Sequence, residues 1–420
     1  MGFANKYLSK HLFHQPFNNN SVDEDLKIVV TIPVYREPNI IDCLAYLDNT
    51  NPIDGKAEVI IIINSSEKDN NELREYNRNT FDEVSKWISE REESFLSFKV
   101  YLLENLPAKH AGVGLARKIA MDEAISCFEA INNQNGIITS FDADTVCEDN
   151  YFTSIQSFFK DIKKRGASIY FEHPINGSDY PDEVYKSSAY YELYLRYYIN
   201  SLRFSGHPHA FHCIGSAFAV RAKDYIAQGG MNRKQAGEDF YFLQKIISQG
   251  EFGEINDTVL KPSSRLSDRT PFGTGRSIAD MCVGDDMCVG DDIDYITYAF
   301  ECFIPLKSLF SRVDSFYKSV VYIDDLSDEL QEYLGNISFV EGIKEINRNC
   351  ASLNVFRDKF FRYMNIFKSL KYLNFVSESR YPKESVLIGV SKLFNIEGIL
   401  CDTNDVFESL SKLRDIDKSR

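Results

Sequence analysis

Long apolar runs are missing from this sequence. Nowhere do about eighteen apolar residues follow one another, which excludes a membrane-spanning helix. The opening stretch, MGFANKYLSKHLFHQPFNNN, lacks the apolar core of a secretory signal. Cysteine is sparse and unpatterned: nine residues, an odd number, with no CxxC pair, which argues against a disulfide framework and for reduced thiols. These absences together lead us to expect a cytoplasmic protein, with docking on the inner face of a membrane the only membrane contact open to it. Positive charge is also short. The chain carries a net charge of −15 and no Lys/Arg block, so it offers no stripe for tracking nucleic-acid phosphates. An anionic substrate would need a local cation to overcome that field.

What is present is a large core. Hydrophobic residues make up 44% of 420 positions, with 31 Phe and 24 Tyr, and the length corresponds to roughly two domains. Three stretches read as strands: Lys27 to Val34, broken by Pro33 where a loop should begin, the continuous apolar Ala57 to Asn64, and Phe98 to Leu103. Helical spacing separates them, from Pro38 through Leu47, from about Asn70 to Arg91, and from Gly112 to Ile131. Strands alternating with helices define an α/β fold built on a mainly parallel sheet, and right-handed crossovers place every strand's carboxyl end on one edge.

A fourth strand, IITSFDAD from Ile137 to Asp144, runs into two carboxylates at that edge. Asp142 and Asp144, separated by Ala143, would repel each other unless a cation lay beside them. Their hard oxygens suit Mg²⁺ or Mn²⁺. The Val34–Glu37 and Asn64–Glu67 segments should converge on the same edge.

Further on, a helix near Tyr151–Lys164 and a strand at Ser168–Glu172 precede a tyrosine-laden helix from Asp182 to Phe204. Its rings at Tyr185, Tyr190, Tyr191, Tyr194, Tyr197 and Tyr198 fall three and four apart, the spacing of core packing. Phe211 to Val220 reads as a strand with Gly215 and Ser216 in its middle, and Gly237-Glu238-Asp239 opens a helix. Acids at such a start complement the helix dipole whatever else they do. The Ser264–Arg276 segment combines Arg265, Arg269 and Arg276 with Gly273 and Gly275. It reads as a hinged loop able to bring charge over an anion. Met281–Asp286 and Met287–Asp292 repeat MCVGDD in tandem, and we read them as a tolerated surface duplication.

The ordered set TIPVYRE, INSSE, HAGVGLARKIAMDEA, FDADT, GSAFAVR, GG and GEDF resembles the family two glycosyltransferases, inverting enzymes of the Rossmann-like GT-A fold with a mainly parallel sheet between helices. The likeness spans roughly residues 27–245. The polar, Asn-rich composition of residues 1–26 reads as a loose lead-in, and the resemblance implies a GT-A domain over 27–276. Within that domain a nucleotide-binding half would cover about 27–145 and an acceptor-binding half about 146–276. Beyond it, the residues' own spacing, helical and without alternation, reads as a mostly helical region over 277–420.

On this resemblance the partners are a nucleotide-diphosphate sugar, with UDP or GDP as carrier, and a hydroxyl acceptor such as a saccharide or lipid-linked glycan. The cofactor is a divalent cation, Mn²⁺ or Mg²⁺. Pro33, Tyr35 and Glu37 would lie near base and ribose. Asn64 holds a position that relatives commonly fill with an acid. His110, Gly114 and Arg117 would sit by the phosphates at a helix N-terminus. Asp144 would ligate the metal, with Asp142 on ribose or metal-bound water and Ala143 between them. Many GT-A enzymes add a histidine ligand after the acceptor-side strand, but none occurs here beyond His212. Gly215 and Ser216 would line the acceptor side, Asp239 would be the general base beside Glu238, and Arg269 would reach the diphosphate. A retaining GT-A enzyme, or a GT-A-like binding subunit without catalysis, stands as the alternative.

Overall fold

A computed structural model of the chain describes residues 2–17, 22–233, 237–266, 274–283 and 294–420. Two compact units emerge. One comprises 1–174, 213–279 and 418–420, the other 175–212 and 280–417. Among the described residues no helix is long and apolar enough to cross a membrane.

The first unit is built on an eight-stranded sheet. Its strands are β1 (Leu26–Val34), β2 (Lys56–Ser66), β3 (Leu96–Leu106), β4 (Ile137–Ser140), β5 (Val146–Cys147), β6 (Gly166–Phe171), β7 (Phe218–Arg221) and β8 (Phe252–Lys261). They lie in the order β3-β2-β1-β4-β7-β6-β8-β5. The runs KIVVTIPV and EVIIIIN sit at its centre because side chains on both faces are buried there, and β-branched residues pack well on a pleated surface. β1 pairs in parallel with β2 on one side and β4 on the other, Val30 facing Val59 and Thr139. Strand order therefore reverses at β1/β4, and the crevice beyond their carboxyl ends is where open α/β sheets bind ligands. The Phe141 N–H donates to the Thr31 carbonyl at 3.1 Å, fixing the loop after β4 beside the loop after β1.

Three sequence expectations change, and one strand, β8, has no forerunner in the sequence reading. Pro33 lies inside β1, opposite Ile62, and does not break it; the strand runs on to Val34. The strand expected over 211–220 shrinks to β7, because the chain turns at Ile214–Ala217 (Ala217 N–H to Ile214 carbonyl, 3.1 Å) and only the last residues pair, antiparallel, with β4 and β6. Gly215 and Ser216 therefore stand in a turn. β8 has only Phe252, Ile255, Val259 and Leu260 as buried apolar residues. Its pairing with β6 makes it a strand, which periodicity alone did not announce.

The polar opening is also not loose, since Asn5–His11 is a helix with Tyr7 buried. The Tyr7 hydroxyl donates to Asp122 Oδ1 at 2.7 Å, Tyr225 donates to the same oxygen at 2.8 Å, and Lys118 Nζ stands 2.8 Å from Asp122 Oδ2. Gly230 supports this cluster. Its φ of 72° is a left-handed value, and a Cβ there would lie 1.9 Å from the Tyr7 hydroxyl. Gly230→Ala is expected to lower stability by about 1–3 kcal/mol for the backbone strain alone, and by more through the displaced tyrosine. Urea denaturation checks this.

The second unit is helical. Asp182–Phe204 forms one helix, as its spacing predicts. The C-terminal segment folds into Phe303–Phe310, Asp328–Asn336, Phe339–Arg348, Leu353–Tyr363, Ile366–Ser379, Val386–Glu397 and Val406–Lys418. Tyr185, Tyr190 and Tyr197 are buried, and Tyr191 and Tyr194 pack on Tyr295 with centroids 6.1 and 4.6 Å away. The buried Asp417 accepts from Arg196 and Arg203 at 2.7 Å each. Burial acts to raise its pKa, but His212 and these arginines outweigh it and hold the carboxyl well below its usual range. The MCVGDD repeat falls largely on residues 284–293, outside the described residues.

Candidate active site

The Val113–Ala130 helix packs on β1 and β2 and is buried on nearly every side, because alanines four apart leave room for close approach to the sheet. Its first turns place Arg117 in the interior below the β4 loop. There the guanidinium forks. Nη2 donates to Asp142 Oδ1 at 2.9 Å, and Nη1 pairs with Glu238 Oε1. Arg117 and Glu238 are both almost wholly buried, and a buried ion pair requires good geometry and further hydrogen bonds to offset lost hydration. Burial tends to lower the arginine's pKa, but the carboxylates of Glu238, Asp142 and Asp239 more than offset it and raise the value. Arg117 therefore joins the carboxyl edge of β4 to the start of the Glu238–Ile247 helix.

Asp239 follows at the second position of that helix. Its Oδ1 accepts the Phe240 N–H at 2.7 Å. Burial first, then the adjacent Glu238 charge, push its carboxyl up to about 6, although Arg117 and the Phe240 N–H pull the other way. Gly215 faces this pair. A Cβ on it would sit 3.0 Å from both Arg117 Nη2 and Asp239 Oδ2, so only glycine leaves the approach to these groups open. Nearby Cys213 is no nucleophile at neutral pH, because burial pushes its thiol up to about 12.

The other side of the β4 loop belongs to a second arginine. Arg265 Nη2 donates to the buried Glu37 at 2.7 Å and stands 3.5 Å from Asp144 Oδ2. Glu37, Arg117, Asp142, Asp144, Gly215, Glu238, Asp239 and Arg265 are thus linked at one sheet edge.

Other sequence candidates lie differently. Gly114 and Ala143 are buried beside the site, Gly114 in the first turn of the Val113–Ala130 helix, and Ser216 is buried in the turn before β7. Asn64 is buried in β2, where its carbonyl accepts from Asn77 Nδ2 at 3.0 Å. The Tyr35 hydroxyl donates to Asp69 at 3.3 Å, and the His110 ring packs edge-on against Phe13 with centroids 6.3 Å apart. Arg269 and Gly273 lie outside the described residues, and Gly275 is not a hinge but part of the Thr274–Val283 helix. Among the described residues of this stretch, Arg265 is the arginine that reaches the carboxylates. Nothing in the spacing of the arginines in this polar stretch marks Arg265 for that contact.

Glu37, Asp142 and Asp144 supply hard oxygen donors of the kind Mg²⁺ and Mn²⁺ take. Among the described residues no group of three or more His, Cys, Asp or Glu stands close enough to enclose a metal ion. Donors spaced in this way would suit only a cation that takes the rest of its coordination from a bound anion and water.

No protein-family model and no curated protein matches this sequence. Among solved structures, the chain is similar to S. aureus TarS 1–349 in complex with UDP-GlcNAc, with 13% identity and a TM-score of 0.41, over 84% of this chain and 91% of that one. It is similar to GalNAc-T7 with UDP, GalNAc and Mn²⁺ at 13% identity and a TM-score of 0.39, covering 87% of this chain and 59% of that one.

Proposed function

We propose that the chain is a glycosyltransferase of the GT-A type, moving a sugar from a nucleotide-diphosphate donor to a hydroxyl acceptor with inversion. The observation that carries this reading is the Arg117 fork. It ties Asp142, at the switch point where a nucleotide would lie, to the Glu238-Asp239 pair, and Asp239 carries a carboxyl raised to about 6. A carboxylate that titrates near neutral pH is suited to accept a proton from a hydroxyl, which one at its ordinary value does poorly.

Asp239 takes the acceptor's proton as the acceptor oxygen bonds to the anomeric carbon. On the opposite face the bond to the diphosphate oxygen breaks, and the nucleotide diphosphate leaves with the electron pair. Arg117 keeps Asp239 ionised through its charge and keeps Asp142 from repelling the donor. Gly215 leaves room for the acceptor beside Asp239. Glu37 and Asp142 border the nucleotide. A divalent cation, held through Asp144 with Asp142 beside it, would supply charge to offset the departing diphosphate.

Titration of the chain with UDP and with GDP, each with and without Mn²⁺, tests this. One nucleotide should bind in a metal-dependent manner, and Asp144→Ala should abolish that dependence while the protein stays folded by thermal melt. Metal-independent binding unaffected by Asp144→Ala would sink the donor-site reading.

A further inference from the structure

The two arginines of the site are held in unlike ways, and the difference has a consequence for cation binding. Arg117 is buried, with each arm of its fork on a different carboxylate. Arg265 is 23% exposed in its side chain and places a single nitrogen between carboxylates from two strand ends, Glu37 after β1 and Asp144 after β4. Glu37 is 2% exposed in its side chain, so its charge needs a cation close by, and the 2.7 Å contact supplies one. The contact to Asp144 is longer, 3.5 Å, and Asp144 is 24% exposed. A contact of that length open to solvent is weak, so a doubly charged ion outcompetes the Arg265 nitrogen for the same oxygen.

We propose that Arg265 is an exchangeable counter-cation of the donor site. It neutralises Asp144 and Glu37 when no metal is bound and yields the Asp144 carboxylate to a divalent ion. The inference rests on the donor-site reading above. Arg265 thereby opposes metal binding by the free protein. Once displaced from Asp144, its charge stands beside the anionic part of the donor, so the device favours the cation and the diphosphate arriving together.

The test uses the full chain and Mn²⁺ alone, with free Mn²⁺ counted by electron paramagnetic resonance and folding checked by thermal melt. Arg265→Gln should bind Mn²⁺ about tenfold more tightly than the wild type, the order expected when one unit charge is removed a few ångströms from a partly solvated ion. Arg265→Lys, which keeps the charge, should stay near wild type. The gain should vanish in Arg265→Gln combined with Asp144→Asn. Mn²⁺ binding by Arg265→Gln that is equal to or weaker than wild type overturns the proposal, as does an equal gain in Arg265→Lys. If nucleotide-dependent Mn²⁺ binding is itself indifferent to Asp144→Asn, the donor-site reading fails, and that outcome is scored separately from the Arg265 comparison.

Discussion

Asp239→Asn is expected to slow sugar transfer by ~10²–10⁴-fold, the usual loss on removing a general base, while metal-dependent nucleotide binding survives. The amide keeps the shape and can still accept the Phe240 N–H, so the helix start is preserved; what it loses is the ability to take a proton. The wild-type rate at low substrate should rise with unit slope as pH climbs and level off above about 6, where the carboxyl is ionised. The variant should lack that limb.

Stability separates this role from simple capping. Burial and Glu238 raise the folded carboxyl from 3.8 to about 6, so the fold disfavours its ionised form. The sign follows from linkage: the destabilisation sets in as pH rises past the unfolded value and is complete above about 6. Asn removes that cost, so at pH 8 the variant should melt no lower than the wild type. A residue serving only the helix dipole would behave in reverse, with a lower melting temperature and intact turnover. That outcome would end the general-base reading.

Arg117→Met should be the most destabilising single change in the site. It strands Glu238, which is almost fully buried, without a counter-charge, and breaking one partner of such a pair costs about 3–5 kcal/mol. Methionine fills much of the same volume, so the loss reports the charge and not a cavity. Adding Glu238→Gln should recover a large part of it, because the uncompensated charge is then gone. Arg117 also lowers the Asp239 pKa, so residual activity in a folded variant should show its pH limb displaced upward. Arg117→Lys should rescue incompletely, since one ammonium cannot reproduce a fork to two carboxylates. Urea denaturation that places Arg117→Met within about 1 kcal/mol of wild type, the size of a surface pair, would show that the fork is not the organising contact.

Much of this was legible in the chain. The runs KIVVTIPV and AEVIIIIN have no polar face, so they fit only a strand buried on both sides, and β1 and β2 lie where those runs fall. The aspartates Asp142 and Asp144 follow an apolar strand directly, and a parallel strand's carboxyl end is a ligand edge by topology. The Asp182–Phe204 helix was equally clear from its ring spacing. β8 was not, because its few apolar residues become a strand pattern only once β6 lies alongside.

Local patterning therefore determined the α/β class, the central strands and the acidic residues, since each depends on neighbours within a few positions of the chain. The tertiary structure alone decided how the charges are paired. Arg117 meets Asp142 across 25 residues and Glu238 across 121, and Arg265 meets Glu37 across 228. No periodicity encodes such distances. The Coulomb energy that makes these groups a site depends on separation in space and on the water excluded around them, and both come into being only when the sheet closes over its core.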